Sequence, residues 1–357
     1  MPRLRRVDCA QPGLRRVKRG RGFVYVDAGG NRVTDPTTLR RIADLVIPPA
    51  WTDVWICAVA NGHIQATGTD AAGRRQYRYH DDWRRNRDRE KHEKMLEFAA
   101  VLPQARERML ADVARPKLDR ERVLGGAARL LDLGFFRIGS EEYAETNQSY
   151  GLATMRREHV TCSKGVVTFD YIAKSGKHRI QSVADDDLCR LVIALKRVRN
   201  GGPELLGYQT HDGWVDIKSH DINGYLREIT GGDFTAKDFR TWHATVLCAV
   251  GLAVSDVVPA SESARKRAVT RAVKEVAHYL GNTPTVSRAS YIDPRVIDHY
   301  NDGVTIRADL DALGEGATFG ELATRGAIES AVLRLLQEPE ATRRRLAKTR
   351  SLIADAA

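Results

Sequence analysis

Val166-Val167-Thr168-Phe169-Asp170-Tyr171-Ile172-Ala173-Lys174-Ser175-Gly176-Lys177-His178-Arg179-Ile180-Gln181-Ser182-Val183 reads as a β-hairpin. Val166 to Ile172 has the β-branched and aromatic content of a strand, and His178 to Val183 is a second strand. Ser175-Gly176 is turn material, so Lys174 and Lys177 flank the tip. What surrounds this hairpin is helical. Asp185 to Val198 predicts a helix with acids at its start and Lys196 and Arg197 near its end, matching the macrodipole. Upstream, Asp81 to Lys94 is dense in mixed charge and predicts a linker entering a helix whose apolar face begins with Met95, Leu96 and Phe98. Pro103 predicts the break of that helix. Arg106 to Leu110 and Leu118 to Leu133 continue the helical pattern.

Downstream, Ala244 to Ser255 is an apolar run too short to cross a bilayer, and it reads as a core helix. Val269, Val273, Val276, Ala277 and Leu280 form one helical face. Gly281 stops that helix; Thr283 caps the next, with Pro284 at its first position and Asn282 in the joint. Tyr291 lies about two turns further on. Ala327, Val332, Leu333 and Leu336 suggest one more packing helix. The beginning of the chain differs. Phe23 to Val26, Val54 to Val59, His63 to Thr67 and Gln76 to Tyr79 are short strands, and Asp27 to Asn31 and Gly73 are turns. The expected class is α+β: a basic arm over 1–21, a small antiparallel β-rich domain over 22–82, and a larger, mainly helical domain over 83–357 carrying the hairpin.

The 357 residues contain 57 Lys+Arg against 46 Asp+Glu, a net charge of +11, and 42% are apolar. That apolar content excludes a disordered chain. Eight of the basic residues (Arg3, Arg5, Arg6, Arg15, Arg16, Lys18, Arg19 and Arg21) fall within 1–21 against one acid, Asp8. Such an arm suits a polyanion, or serves as a solubilising tail. No apolar stretch follows it, so it is no secretory signal. The five cysteines (Cys9, Cys57, Cys162, Cys189 and Cys248) are scattered, with neither metal-ligand spacing nor a disulfide framework, which fits a reducing cytosol.

Several segments carry chemistry, each beside a plainer alternative. Arg137, in Gly134-Phe135-Phe136-Arg137-Ile138-Gly139, is half-buried among apolar residues and needs an anionic partner, which a structural salt bridge would also satisfy. Lys174 is either a solvated turn lysine or a reagent at a mobile tip. Arg240, in Lys237-Asp238-Phe239-Arg240-Thr241-Trp242, sits near a helix start, where a phosphate would relieve it; pairing with Asp238 or Glu228 is the alternative. Tyr291 taken alone is a core or interface residue.

Together these segments resemble the catalytic domain of type IB DNA topoisomerases, particularly the small poxvirus-like and bacterial members. The pieces are Phe136-Arg137-Ile138-Gly139, Phe169 to Lys174, Lys237 to Thr241, and Gly281 to Pro284 followed by Ser287-Arg288-Ala289-Ser290-Tyr291. They stand in the family's order, over roughly 20–310. The resemblance implies that Tyr291 is the nucleophile, that Arg137 and Arg240 bind the scissile phosphate, and that Lys174 is the general acid for the leaving 5′ oxygen. Asn282 stands where many members carry His. Gln76, Tyr77 and Tyr79 match positions expected to touch DNA, with Tyr143 and Lys237 as weaker matches of the same kind. The two domains would close on duplex DNA as a clamp.

The residue types suit the chemistry. Charge gathers on the non-bridging oxygens of a pentacoordinate phosphorus, and two guanidinium forks can replace a metal ion there. Neither a divalent metal nor ATP is expected; no phosphate-binding Gly-x-x-x-x-Gly-Lys-Ser/Thr run is present. A monomer in a bacterial cytoplasm, associated with the nucleoid, is the expected form. Arg343-Arg344-Arg345 either faces DNA or is solvated. The nearest rival is a tyrosine recombinase, but such enzymes usually carry His where Lys237 stands, and their N-terminal domain is usually helical. A non-catalytic nucleoid protein would account for the charge but not for the five-residue set. A metal-dependent nuclease lacks its carboxylate cluster.

Overall fold

The computed structural model describes residues 3–255, 261–314 and 326–338, the side chains of residues 142 and 143 aside. The chain divides into two compact units, Met1–Glu93 and Lys94–Ala357.

The first unit is built on a five-stranded antiparallel sheet of order β2-β1-β3-β4-β5. Its strands are β1 (Leu14–Arg19), β2 (Gly22–Val26), β3 (Thr52–Ile56), β4 (Ile64–Thr69) and β5 (Arg75–Tyr79). Helix α1 (Pro36–Asp44) starts at Asp35, whose carboxylate accepts from Thr38 N at 2.8 Å, with Pro36 at its first position. Ile42, Val54, Ile56 and Ala66 form the small core.

The basic arm expected over 1–21 is instead drawn into this unit. Leu14–Arg19 is an inner strand, paired with β2 and with β3. Arg5 forms a bridge to Gly62, and Val7 N donates to His63 Nδ1 at 3.1 Å. Arg16 donates to the carbonyls of Ile47, Pro48 and Trp51. Charge counting missed this because alternation in β1 puts Arg15, Val17 and Arg19 on an exposed face and turns Arg16 to structural work.

Helix α2 (Asp81–Val113) crosses the division between the units. Two expectations fail here. Asp81 to Lys94 is helix rather than linker, and Pro103 lies inside α2 rather than ending it. The missing N–H costs about 3 kcal/mol in a helix interior. Burial of Phe98, Leu102, Ala105 and Met109 on the same helix offsets that cost.

The second unit continues with α3 (Arg120–Gly134), α4 (Glu141–Asn147), a three-stranded antiparallel sheet and α5 (Asp186–Arg197). The sheet has order β6-β7-β8, from β6 (Val160–Ser163), β7 (Val166–Ala173) and β8 (Lys177–Ala184). The β7–β8 hairpin pairs Ala173 with Lys177 and Tyr171 with Arg179, its tip at Lys174–Gly176. Asp185 caps α5 by accepting from Leu188 N at 2.9 Å. A two-stranded ribbon, β9 (Gly207–Thr210) and β10 (Gly213–Asp216), leads into α6 (Ser219–Thr230) and α7 (Ala236–Ala253). Then come α8 (Glu262–Leu280), α9 (Pro284–Ser290), α10 (Pro294–Asn301), α11 (Arg307–Gly314) and α12 (Ala327–Gln337). Val332 and Leu336 of α12 are buried; Arg343-Arg344-Arg345 lies outside the described residues.

Cys162 on β6 and Cys189 on α5 are joined as a disulfide, with Cα atoms 5.8 Å apart. Spacing along the chain suggested no bridge; the pair meets because α5 packs back on β6, a contact between residues 27 apart in sequence. Among the described residues, no helix is long and apolar enough to cross a membrane.

Candidate active site

Five elements of the second unit supply the site. Arg137 follows α3, whose C-cap Phe135 adopts a left-handed backbone (φ 56°) and so turns the chain sharply. Arg240 stands in the second turn of α7, a helix started by reciprocal bonds between Thr235 and Asp238. Asn282 follows Gly281 (φ 64°), where Gly281 N donates to His278 O and Asn282 N to Ala277 O, closing α8 with a Schellman motif. Thr283 Oγ1 then accepts from Val286 N at 3.3 Å to begin α9, and Tyr291 is that helix's C-cap. Lys174 occupies the exposed tip of the β7–β8 hairpin.

The contacts knit these positions together. Arg137 Nη2 donates to Asn282 Oδ1. Arg240, 4% exposed, donates to Phe135 O and, at 2.9 Å, to Leu280 O. Those carbonyls end α3 and α8, so the guanidinium occupies the negative ends of two helix dipoles. Neither Asp238 nor Glu228 is its partner; Asp238 is engaged by the start of α7. The Arg240 guanidinium also lies over the Tyr291 ring, 5.4 Å from its centroid. Arg137, Lys174 and Arg240 line one pocket, and among the described residues no acidic side chain lines it with them. Tyr291 touches Arg240 and is not among the described lining residues of that pocket.

Crowding marks the electrostatics. Burial, and then the charge of Arg137, push the Arg240 guanidinium down to about 10. Burial pushes the Tyr291 phenol up, but the charges of Arg240, Arg137 and Lys237 outweigh it and bring the phenol below its ordinary value. At the site, two buried donor atoms, Arg240 Nε and Asn282 Nδ2, have no hydrogen-bond partner among the described residues. A pocket of cations with orphaned donors is built for an anion.

Of the candidate DNA contacts, Tyr77 and Tyr79 share the exposed face of β5, their rings stacked 6.0 Å apart. Gln76 points to the other face and donates to Asp70 Oδ2 at 2.9 Å. Lys237 is exposed on α7, one turn before Arg240. Tyr143 lies on α4, its side chain outside the described residues.

Two residues near the site escaped the sequence reading. Thr245 Oγ1 accepts from Asp293 N at 3.1 Å and lies 3.0 Å from Thr241 O and 3.3 Å from Tyr291 O, tying the segment that bears Tyr291 to the helix that carries Arg240. Arg179 lines the same pocket and donates to Tyr279 O at 2.9 Å. Hairpin register could have found Arg179: a tip centred on Ser175 sets residue 179 opposite 171, on the buried face. No local pattern marks Thr245.

Residues 80–308 match the family profile of the eukaryotic DNA topoisomerase I catalytic core, and residues 22–70 match that of the bacterial DNA topoisomerase IB N-terminal domain. The chain belongs to the type IB DNA topoisomerase family. It is 31% identical over 298 residues to a DNA topoisomerase 1B of Acanthamoeba polyphaga mimivirus, covering 81% of this chain and 88% of the relative. It is 20% identical over 238 residues to a DNA topoisomerase I of monkeypox virus and to a DNA topoisomerase 1B of vaccinia virus, in each case 66% of this chain and 72% of the relative. The family's substrate is DNA, and its activity is relaxation of supercoils through transient cleavage of one strand. The matches do not favour the recombinase alternative.

Proposed function

We propose that Tyr291, Arg137, Arg240, Lys174 and Asn282 carry the family's reaction in this chain. The Tyr291 oxygen attacks the scissile phosphorus, the bond to the 5′ oxygen breaks, and Lys174 gives that oxygen a proton. Arg137 and Arg240 hold the non-bridging oxygens, and Asn282 donates a neutral hydrogen bond beside them. Two fixed guanidinium charges provide the stabilisation that a divalent cation provides elsewhere. The 3′-phosphotyrosyl link conserves the energy of the broken bond, so religation is the same step reversed and needs no ATP. Between the two steps the free 5′ end rotates, driven by torsion in the DNA, and both supercoil signs relax.

The observation that supports this most strongly is the pair of buried donors on Arg240 and Asn282, without a partner among the described residues, beside a pocket whose described lining holds cations and no acid. Tyr77 and Tyr79 offer exposed aromatic surface for DNA; Gln76, on the other face of β5, and Tyr143 and Lys237 are further candidate contacts. One chain carries all five residues, which supports action as a monomer. The match to the bacterial N-terminal domain supports a bacterial enzyme, and action on DNA supports a place with the nucleoid in the cytoplasm. The test is plasmid relaxation in EDTA without ATP, wild type beside Tyr291→Phe. Wild type relaxes the plasmid and leaves a denaturant-trapped covalent adduct. Relaxation by Tyr291→Phe at the wild-type rate would overturn the assignment of the nucleophile.

A further inference from the structure

Arg179 is one of two polar side chains of β8 that tie the hairpin to a neighbouring helix end: Gln181 Nε2 donates to Gly134 O at the end of α3, and Arg179 reaches the end of α8. Its strand alternates, and the face it shares with Tyr171 and Val183 is turned inward, while Ile172 and Ile180 on the other face are exposed. The Tyr171 hydroxyl donates to Gln181 Oε1 at 2.6 Å, which leaves Gln181 Nε2 to donate to Gly134 O. Arg179 Nη2 donates to Tyr279 O at 2.9 Å, in the last turn of α8. That carbonyl is at the negative end of the helix dipole, a favourable seat for a cation. Gly281 closes the fit: a Cβ there would stand 2.0 Å from Arg179 Nη1. The left-handed glycine that turns the chain towards Asn282 is thus also the gap into which the hairpin's arginine fits.

We propose that Arg179 is a positioning residue that docks the Lys174 hairpin on the α8–α9 joint, so that the proton donor is held against the phosphate gripped by Arg137 and Arg240. The inference rests on the assignment of Lys174 as general acid. The contact it uses joins β8 to α8, the two elements that bring the acid and Asn282 into one site. Without it, the hairpin keeps its own ladder, the bond from Tyr150 N to Ile172 O and the bond from Gln181 Nε2 to Gly134 O, but loses the Arg179 tie to the end of α8. The chemistry affected is one proton transfer: as the P–O5′ bond breaks, the electron pair goes to O5′ and the proton comes from Lys174 Nζ. A substrate with sulfur in place of O5′ expels a thiolate, which leaves without a proton.

That difference supplies the test. Single-turnover cleavage is measured on duplexes with a bridging 5′ oxygen or 5′ sulfur, for wild type, Lys174→Ala, Arg179→Ala, Arg179→Lys and the double Ala variant. On oxygen, Lys174→Ala should lose about 10²- to 10⁴-fold, the worth of a positioned acid. Arg179→Ala should lose about 10- to 100-fold, the worth of placement within about an ångström. Arg179→Lys, which keeps one donor for Tyr279 O, should fall between wild type and Ala. The double variant should be no slower than Lys174→Ala alone. On sulfur, both single Ala variants should return to near the wild-type rate. If Arg179→Ala stays equally slow on both substrates while Lys174→Ala recovers, Arg179 acts on the phosphate or on the fold and the proposal is overturned. If Lys174→Ala itself fails to recover, the acid is misassigned, and the failure lies in the earlier reading. Should Arg179→Ala not fold, Arg179→Lys on the two substrates decides the same question.

Discussion

Replacing Asn282 separates a phosphate-binding role from a merely structural one. Its Oδ1 accepts from Arg137 Nη2. A guanidinium has donors only, so the amide must turn its oxygen to Arg137, which commits Nδ2 to a different partner. Nδ2 is buried and has no acceptor among the described residues. Asn282→Ala removes that donor and also the acceptor that steadies Arg137. A hydrogen bond to a charged group contributes about 1.5–3 kcal/mol, and about 1.4 kcal/mol is tenfold in rate, so cleavage should slow about 10- to 150-fold. Asn282→His keeps a donor at the position and should retain cleavage. Asn282→Asp is nearly isosteric, but it sets a carboxylate against Arg137 and beside the phosphate, so it should be slower than Ala. The assay is single-turnover formation of the covalent adduct on an excess of enzyme, read on a denaturing gel, with DNA affinity measured in parallel. An Ala variant at the wild-type rate, or an Asp variant faster than Ala, would refute the phosphate contact.

Three further outcomes are expected. Because Arg240 and Arg137 lower the Tyr291 phenol against the opposing effect of burial, the cleavage rate should climb with pH and level off below the ordinary tyrosine value of about 10; Arg137→Gln should move that climb to higher pH, and an unmoved profile would remove the charge from the account. Thr245→Val leaves the Asp293 N–H buried without its acceptor, which should cost about 1–3 kcal/mol of stability in urea unfolding and slow cleavage by loosening Tyr291. Glu329→Ala on α12 takes one carboxylate from Arg106 and the acceptor from Trp242 Nε1, so unfolding free energy should fall by about 3–5 kcal/mol; a urea midpoint equal to wild type would mean that α12 is dispensable.

What was legible in the sequence was mostly local. The β7–β8 hairpin, the stop at Gly281 and the restart at Thr283-Pro284 rest on turn and cap preferences of one or two residues, and all three are where those preferences place them. The misreadings came where distant contacts override a local rule. Pro103 stays helical because its neighbours are buried, and the Arg-rich start becomes an inner strand because β3 offers it a ladder and three carbonyls receive Arg16. Cys162 and Cys189 meet only through the packing of α5. Arg179 and Thr245 act across elements, through Tyr279 and Asp293, which no window of sequence contains.

The same contrast explains how cations can be collected in one place and still remain available. Arg106 shows the ordinary solution for a buried guanidinium: Asp132 and Glu329 both pair with it, and its charge serves the core. Arg240 lies nearby on the same framework, since Trp242 donates to Glu329 and His243 approaches Asp132 at 3.4 Å, yet Arg240 receives no carboxylate. Its partners are Phe135 O and Leu280 O, and Arg179 is likewise held by Tyr279 O. Carbonyls at helix C-termini orient a guanidinium and partly offset its burial, but they carry only a fraction of a charge. The remainder is left to act on whatever enters the pocket. Burial and the charge of Arg137 lower the Arg240 guanidinium, whereas Glu329 and Asp132 outweigh burial and raise that of Arg106. A phosphodiester between Arg137 and Arg240 would supply the missing negative charge, and the charge that develops during attack would be met by groups already in place. Placing a carboxylate in the lining, as Gln181→Glu would, should therefore slow single-turnover cleavage, and because it also takes the donor from Gly134 O it should lower the urea midpoint as well.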